Sequence, residues 1–400
     1  MKAGPFLTRV ILKNYKSIAA CDVEFGSLTF LVGPNGSGKS NFLDALRFVA
    51  DALRTSLDHA LRDRGGINEV RRRSGGHPTH FGMRLEFTLP EGVSGHYAFR
   101  IGARPQGGHE VQEEECFVNA PRAARFRIES GEIRAASQIG PAASRDRLYL
   151  LSASGLPEYR PVFEAFSGMG FYNLNPDRIR DLQPPDSGEL LARDGSNITS
   201  VLRLLGERNP LRKKRIEDYL MAVVPGIQDV NVRQVGNRET LEFRQEAAGA
   251  RDSWRFFAAN MSDGTLRALG MLVSLFQSGN GEHARVPLVG IEEPEVALHP
   301  AAAGAVLDAL REASHETQVL ITSHSPDLLD SATLDTELIL AVHIEKGATV
   351  IAPMDEASLQ VLRQGLYTPG ELLRLNQLQP DSKLFGERTR QLHLFDEAPV

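Results

Sequence analysis

The sequence predicts an α/β fold: a mainly parallel, helix-covered sheet with an antiparallel β subdomain and a helical insertion. Three observations carry this. An apolar run, Leu28-Thr29-Phe30-Leu31-Val32, feeds a glycine-rich turn, and Asn41 to Val49 follow with apolar residues at helical spacing. Two more apolar strands, Val286 to Ile291 and Gln318 to Thr322, alternate with helical stretches in the second half, as parallel sheets require. Between the halves, Met83 to Leu89 and Tyr97 to Ile101 alternate as half-buried strands.

Taken in order, residues 1–55 read as the first part of the α/β core and 56–160 as a β-rich segment without helical periodicity. Residues 161–228 read as a mainly helical insertion, with helices from Ile198 to Leu205 and from Arg212 to Val224, the second ended by Pro225-Gly226. Residues 229–352 return to the core, opening on strand patterns at Val230 to Val232 and Leu241 to Phe243. Residues 353–400 form a C-terminal extension whose last part, from Asp381, is polar and expected to be loose. No internal repeat and no long heptad run is present.

The glycine-rich turn is Gly33-Pro34-Asn35-Gly36-Ser37-Gly38-Lys39-Ser40, a full match to the phosphate-loop pattern. Its glycines let several backbone N–H groups point at one anion, and the following helix adds the positive end of its dipole. Lys39 is placed to meet the β- and γ-phosphates of ATP, Ser40 to hold Mg²⁺, and Asn41 opens the helix. A chance glycine turn before a lysine is the bland alternative. Lysine is scarce here, at eight residues against 37 arginines, and both flanking elements fit.

The second half supplies matching chemistry. Glu292-Glu293-Pro294-Glu295 follows the strand ending at Ile291, where a parallel sheet presents its ligand edge. There Glu292 would hold Mg²⁺ and Glu293 would orient or polarise the attacking water. Ser323-His324-Ser325 leaves the next strand at the same edge, and His324 is expected to contact the γ-phosphate. Ser262-Asp263-Gly264 begins an amphipathic helix carrying Leu266, Leu269, Val273 and Phe276. A capped helix start is also an anion site, free to serve a second nucleotide.

Composition fits a soluble cytoplasmic protein, with 42% hydrophobic and 24% charged residues. Cys21 and Cys116 have neither metal-type spacing nor a disulfide framework. No signal peptide and no run of about 20 apolar residues is seen, so no membrane partner is expected. Net charge is −6, but basic clusters stand at Arg71-Arg72-Arg73, at Arg122, Arg125 and Arg127, and at Arg212-Lys213-Lys214-Arg215. They read either as solvated surface or as contacts to DNA phosphates.

These motifs together resemble the ABC-type ATPases of the RecF, SMC and OLD group, placed among bacterial AAA-type ATPases. Leu7 to Ile18 resembles their first strand and its K-N-[FY]-[KR]-S turn, and Gly33 to Ser40 their Walker A loop. Met261 to Thr265 resembles the signature loop, Ile291 to Glu295 with Leu298-His299-Pro300 resembles Walker B and the D-loop, and His324 resembles the switch histidine. The resemblance implies a P-loop NTPase of ABC-ATPase type that binds ATP and Mg²⁺ and closes as a homodimer. In it, Ser262, Asp263 and Gly264 of one subunit would meet the nucleotide of the other. Glu292 stands where the family usually has Asp, and Asp263 where transporter signatures have Gly. No Q-loop glutamine is assigned: Gln106, Gln112 and Gln138 stay open.

The chain lacks the long coiled coils of SMC proteins and the room for a Toprim nuclease domain. The expected function is therefore an ATP-driven switch, DNA-associated, in DNA repair or anti-phage defence with a separate nuclease or other effector. The alternatives are a RecF-like repair clamp without a nuclease partner, or a transporter ATPase subunit. The 228 residues between Gly33 and Met261 argue against the transporter.

Overall fold

Leu28 to Val32 are all buried, as a strand covered on both faces must be. In the computed structural model, residues 5–74, 78–246, 253–277, 286–296, 299–330, 335 and 338–396 are described. Along the chain come β1 (Leu7–Tyr15), β2 (Ile18–Glu24), β3 (Leu28–Val32), α1 (Lys39–Arg54), α2 (Leu57–Arg62) and α3 (Ile67–Val70). Then follow β4 (His80–Thr88), β5 (Ser94–Ala103), β6 (His109–Asn119), β7 (Ala124–Glu129), β8 (Glu132–Ala136), α4 (Tyr149–Ala153) and α5 (Arg160–Ser167). Next are β9 (Gly170–Tyr172), α6 (Pro176–Arg180), α7 (Ile198–Arg208), α8 (Pro210–Val223), β10 (Ile227–Val235), β11 (Arg238–Gln245), β12 (Trp254–Phe257) and α9 (Asp263–Phe276). The chain continues with β13 (Leu288–Glu292), α10 (Ala303–Ala313), β14 (Gln318–Ser323), α11 (Pro326–Leu329), β15 (Ile339–Glu345) and β16 (Ala348–Pro353). It ends with α12 (Glu356–Arg363), α13 (Pro369–Arg374) and α14 (Ser382–Thr389).

The chain divides into two compact units. The first holds Met1–Met169, Glu337–Leu366 and Leu375–Val400; the second holds Gly170–Thr336 and Tyr367–Arg374. In the first, seven strands form one antiparallel sheet in the order β2-β1-β4-β5-β6-β7-β8. Period-2 alternation sends Met83, Leu85 and Phe87, with Tyr97 and Phe99, to one face, where all are buried. Phe48 of α1 packs edge-on against Phe81 at 5.4 Å, and Phe166 of α5 against Phe87 at 5.6 Å. Each buried phenyl contributes about 1.5–3 kcal/mol, which fixes the two helices on this face. Beside it, β3 pairs in parallel with β15, and β15 antiparallel with β16.

In the second unit β13 pairs in parallel with β14 on one side and with β9 on the other. A separate antiparallel sheet runs β10-β11-β12. Helix α9 is apolar nearly all round and buried along its length, as a core helix is. Tyr219 of α8 stacks on its Phe276 with centroids 5.6 Å apart.

The structure fills in the expected outline and corrects it in one place. Residues 56–160 are rich in strands, β4 to β8, and also carry the short helices α2, α3 and α4; α2 is marked only by its Ser56 cap, which accepts from His59 N. The stretch after 161 contains β9, three buried residues that joined a sheet without a strand-length pattern. The tail from Asp381 is ordered rather than loose through Asp396, starting with α14, which Asp381 caps. No helix among the described residues is long and apolar enough to cross a membrane.

Candidate nucleotide site

In the first unit the loop after β3 has the backbone its glycines allow. Gly36 and Gly38 sit at φ 78° and 106°, in the left-handed region. A Cβ on Gly33 would lie 2.0 Å from the Val342 carbonyl oxygen on β15, so nothing larger fits there. A Cβ on Gly38 would lie 2.1 Å from Thr349 Oγ1 on β16. The loop is thus pressed against two strands that come some 300 residues later in the chain.

Hydrogen bonds complete the cradle. Thr349 Oγ1 donates to the Ser37 carbonyl at 3.0 Å and lies 2.7 Å from Ser17 Oγ. Asn41 Nδ2 donates to Ser17 Oγ at 2.7 Å, tying the first turn of α1 to the β1–β2 turn. The Lys39 ammonium donates to the carbonyls of Gly33 (2.7 Å) and Pro34 (3.0 Å), so its charge is folded over the loop. Ser37 Oγ is buried without a hydrogen-bond partner among the described residues. A left-handed glycine loop at a helix start, a cation and a buried hydroxyl suit a polyphosphate. Pro34, Asn35, Gly36 and Ser40 are exposed.

In the second unit, β13 and β14 run in parallel with Glu292 opposite Thr322, so the residues just beyond them emerge together. Glu293 takes φ 46°, a conformation costing an L-residue roughly 1–2 kcal/mol. Its N–H donates to the Thr322 carbonyl at 3.0 Å, which holds that turn. Its Oε1 is 3.0 Å from His324 Nδ1, and both side chains are about one-third exposed. Glu295, quoted in the sequence motif without a role, braces the pair: its Oε1 accepts from Ser323 Oγ (2.7 Å) and His324 N (3.3 Å). Glu295 Oε2 is buried and has no hydrogen-bond partner among the described residues. Arg193 lies 3.4 Å from Glu292. No sequence signal pointed to it, because 99 residues separate the two.

Ser262 caps α9: its Oγ accepts from Thr265 N at 3.2 Å. Asp263 is engaged by Arg180 at 2.6 Å, and Arg180 also reaches the Met261 carbonyl. Gly264 follows inside the first turn. Leu298 of the D-loop resemblance lies outside the described residues. The loop residues 33–41 therefore form one constellation in the first unit. Glu292, Glu293 and His324 form another in the second, and 262–264 a capped helix start there. Ser40 and Glu292 offer the hard oxygen donors that Mg²⁺ takes.

Most of the clustered basic side chains have partners within the fold. Arg212 pairs with Glu316, Lys213 with Glu217, Lys214 with Asp218 and Arg215 with Glu312. Arg71 and Arg72 donate to the carbonyls of Pro78, Ser17 and Gly347, and Arg73 pairs with Glu69. Arg125 and Arg127 pair with Glu115 and Glu113.

Several known proteins resemble this chain. Structural maintenance of chromosomes protein 4 of Schizosaccharomyces pombe is 26% identical over 253 residues, which are 55% of this chain and 17% of that protein. The DNA replication and repair protein RecF of Vibrio campbellii is 44% identical over 41 residues, 10% of this chain and 12% of that protein. The chain thus spans less than a fifth of the length of either relative. Among solved structures, an SMC head bound to the C-terminal winged-helix domain of ScpA aligns with a TM-score of 0.56 at 16% identity. It covers 89% of this chain and all of that one. The Pyrococcus furiosus SMC head with an extended coiled coil, bound to the C-terminal domain of ScpA, gives 0.54 at 15% identity, with 91% and 100% covered. The fold is that of an SMC-head, ABC-type P-loop ATPase. The family model described as "AAA domain, putative AbiEii toxin, Type IV TA system" matches residues 28–330, and the chain belongs to that family, an ABC-type ATPase of the RecF/SMC group.

Proposed function

We propose that this chain is an ATP-binding, Mg²⁺-dependent ATP-hydrolysing switch that closes as a homodimer around ATP and works on DNA in the cytoplasm. The observation that carries the reading is the Glu293–His324 pair, 3.0 Å apart at the ends of two parallel strands, with Glu293 held in a strained backbone conformation. Strain of this kind persists where the surroundings over-determine it, commonly at functional sites. Bound Mg·ATP would supply the electrophilic phosphoryl group. Gly33 to Lys39 would hold the phosphates, and Ser40 and Glu292 would hold the metal. Glu293 orients water and takes its proton, while His324 keeps that carboxylate aimed. Ser262, Asp263 and Gly264 serve the nucleotide of the second copy.

The DNA part rests on the names of the curated relatives, a chromosome-maintenance protein and a replication and repair protein. It does not rest on the basic clusters, several of whose members pair with acidic residues of the same chain. A second reading, a defence module acting with a separate effector such as a nuclease, is favoured by the family description, which names a toxin of a type IV system.

Two variants test the switch. Lys39→Ala removes the phosphate-facing charge and should abolish ATP binding. Glu293→Gln should bind ATP with wild-type affinity, accumulate ATP-dependent dimers in light scattering and lose about 10²–10⁴-fold in turnover, the usual value of a general base. Wild-type turnover by Glu293→Gln, or full activity from a strict monomer, defeats the proposal. ATPase rates with single-stranded, duplex and end-bearing DNA test the DNA part separately.

A further inference from the structure

The solvent face of the antiparallel sheet in the first unit carries a second, unrelated feature. Cross-strand register places Lys13 on β1, Gly82 and Arg84 on β4, Arg100 on β5, Glu113 and Glu115 on β6 and Arg127 on β7 on this face. The last described residues, 392–396, lie across these strands. Lys13 Nζ donates to the Leu392 carbonyl at 3.3 Å, and Arg84 Nη1 to the Leu394 carbonyl at 3.2 Å and to Asp396 Oδ1 at 2.9 Å. Arg127 Nη1 donates to the Asp396 carbonyl at 2.8 Å, and Asp396 N donates to Glu115 Oε1 at 3.2 Å. The Phe395 ring is held by two guanidinium groups, Arg100 at 5.4 Å and Arg127 at 5.9 Å. Leu394 is 7% exposed, seated over Gly82.

Two details say that this seat is built rather than incidental. A Cβ on Gly82 would meet Leu394 Cδ1 at 2.5 Å and the Phe99 carbonyl at 3.1 Å, so a bare backbone makes room for the leucine. The cations also address the tail's main chain, its ring and its carboxylate in turn, which is how extended peptides are read. A cavity of about 340 Å³ continues beside the tail, lined by Arg9, Asp22, Glu86 and Arg388 among others, with room for further side chains.

The charge pattern identifies the occupant. Lys13, Arg84, Arg100, Arg125 and Arg127 face Glu86, Glu113, Glu115 and Glu129, leaving a near-balanced surface that one carboxylate completes. A nucleic acid, with a charge at every phosphate, would meet those glutamates. Glu115 already accepts from His96, Arg125 and Asp396 N, so it is no cation ligand either.

We propose that this face is a docking groove for a short linear peptide of the pattern hydrophobic–x–hydrophobic–aromatic–acidic, and that Leu392 to Asp396 are its tethered occupant. The fitting partner is a protein presenting the same chemistry in trans, in exchange with the tail. A tethered segment competes at millimolar effective concentration, so an outside peptide should bind well only when the tail is disabled.

The test uses the full chain with Leu394→Ser, Phe395→Ser and Asp396→Ser together, and a fluorescein-labelled peptide of residues 388–398. Fluorescence anisotropy should show at least tenfold tighter peptide binding to this variant than to the wild type. Adding Arg127→Ala, or using a peptide with Phe395→Ala, should cancel the gain. If the triple variant does not fold, Phe395→Ala alone in the full chain gives the same comparison at smaller amplitude. Equal binding to wild type and opened protein, or no binding to an opened protein that melts cooperatively, overturns the proposal.

Discussion

Glu114 should make this protein less stable at neutral than at mildly acidic pH. The residue is fully buried on β6. One oxygen accepts from Tyr97 OH (3.0 Å) and Leu150 N (2.8 Å), the other from Tyr149 N (2.5 Å). Burial pushes its carboxyl up to about 7, although these hydrogen bonds pull the other way. A carboxyl raised on folding stabilises fully below its unfolded value near 4.5, and that contribution fades as pH rises through 7. The rise of roughly 2.5 units is worth about 3 kcal/mol in full, and about 2 kcal/mol of it should be lost between pH 5.5 and 8. Asp44, buried but outweighed by Arg64, Arg47 and Lys16, is held at about 2. Glu115, buried but outweighed by His96 and Arg125, is likewise held at about 2. Their stabilisation is lost only as pH falls toward that value, outside the window. Urea unfolding of wild type and Glu114→Gln at both pH values isolates the group. The glutamine cannot ionise, and its amide facing a backbone N–H adds a cost that does not vary with pH. The difference between the two proteins should therefore change by about 2 kcal/mol across the window. A difference that stays constant refutes the reasoning.

Two substitutions address the phosphate loop. Gly33→Ala forces a Cβ against the Val342 carbonyl, and neither backbone can yield without parting β3 from β15. It should cost at least about 1–3 kcal/mol in urea unfolding and weaken ATP binding more than tenfold; a fluorescent nucleotide titration that matches wild type removes the cradle from the argument. Thr349→Val keeps shape but deletes the hydroxyl shared by the Ser37 carbonyl and Ser17. About 1–3 kcal/mol of stability and several-fold in nucleotide affinity should go, with turnover at saturating ATP retained, and a loss confined to turnover would contradict a positioning role.

Much of the site was readable because its chemistry is local. The loop from Gly33 to Ser40 needs only its own glycines and flanking elements, and Glu292 to Glu295 announce themselves by following a buried strand. What the sequence hid depends on distant partners. Thr349 touches a loop 312 positions away, Arg193 a carboxylate 99 away, and Lys13 a carbonyl 379 away. The same distance hid the partners of charge: the fold brings Glu316 and Glu312, about 100 residues on, against Arg212 and Arg215. Helix α14 was missed because its own apolar pattern is weak; it is held by packing on β2 and β16 and by Arg388 to Glu24.

The dependence of the phosphate loop on β15 and β16 has a consequence for biosynthesis. Residues 33–40 leave the ribosome some 300 residues before the surfaces that shape them, Val342 and Thr349. At about 5–20 residues per second, the wait for those strands is roughly 15–60 s. Through that interval the nascent chain carries the motif without its backing and should be unable to hold nucleotide tightly. Competence then arrives in one step once those strands emerge, so a ribosome stalled before residue 340 would release a chain that bears the motif but does not retain ATP.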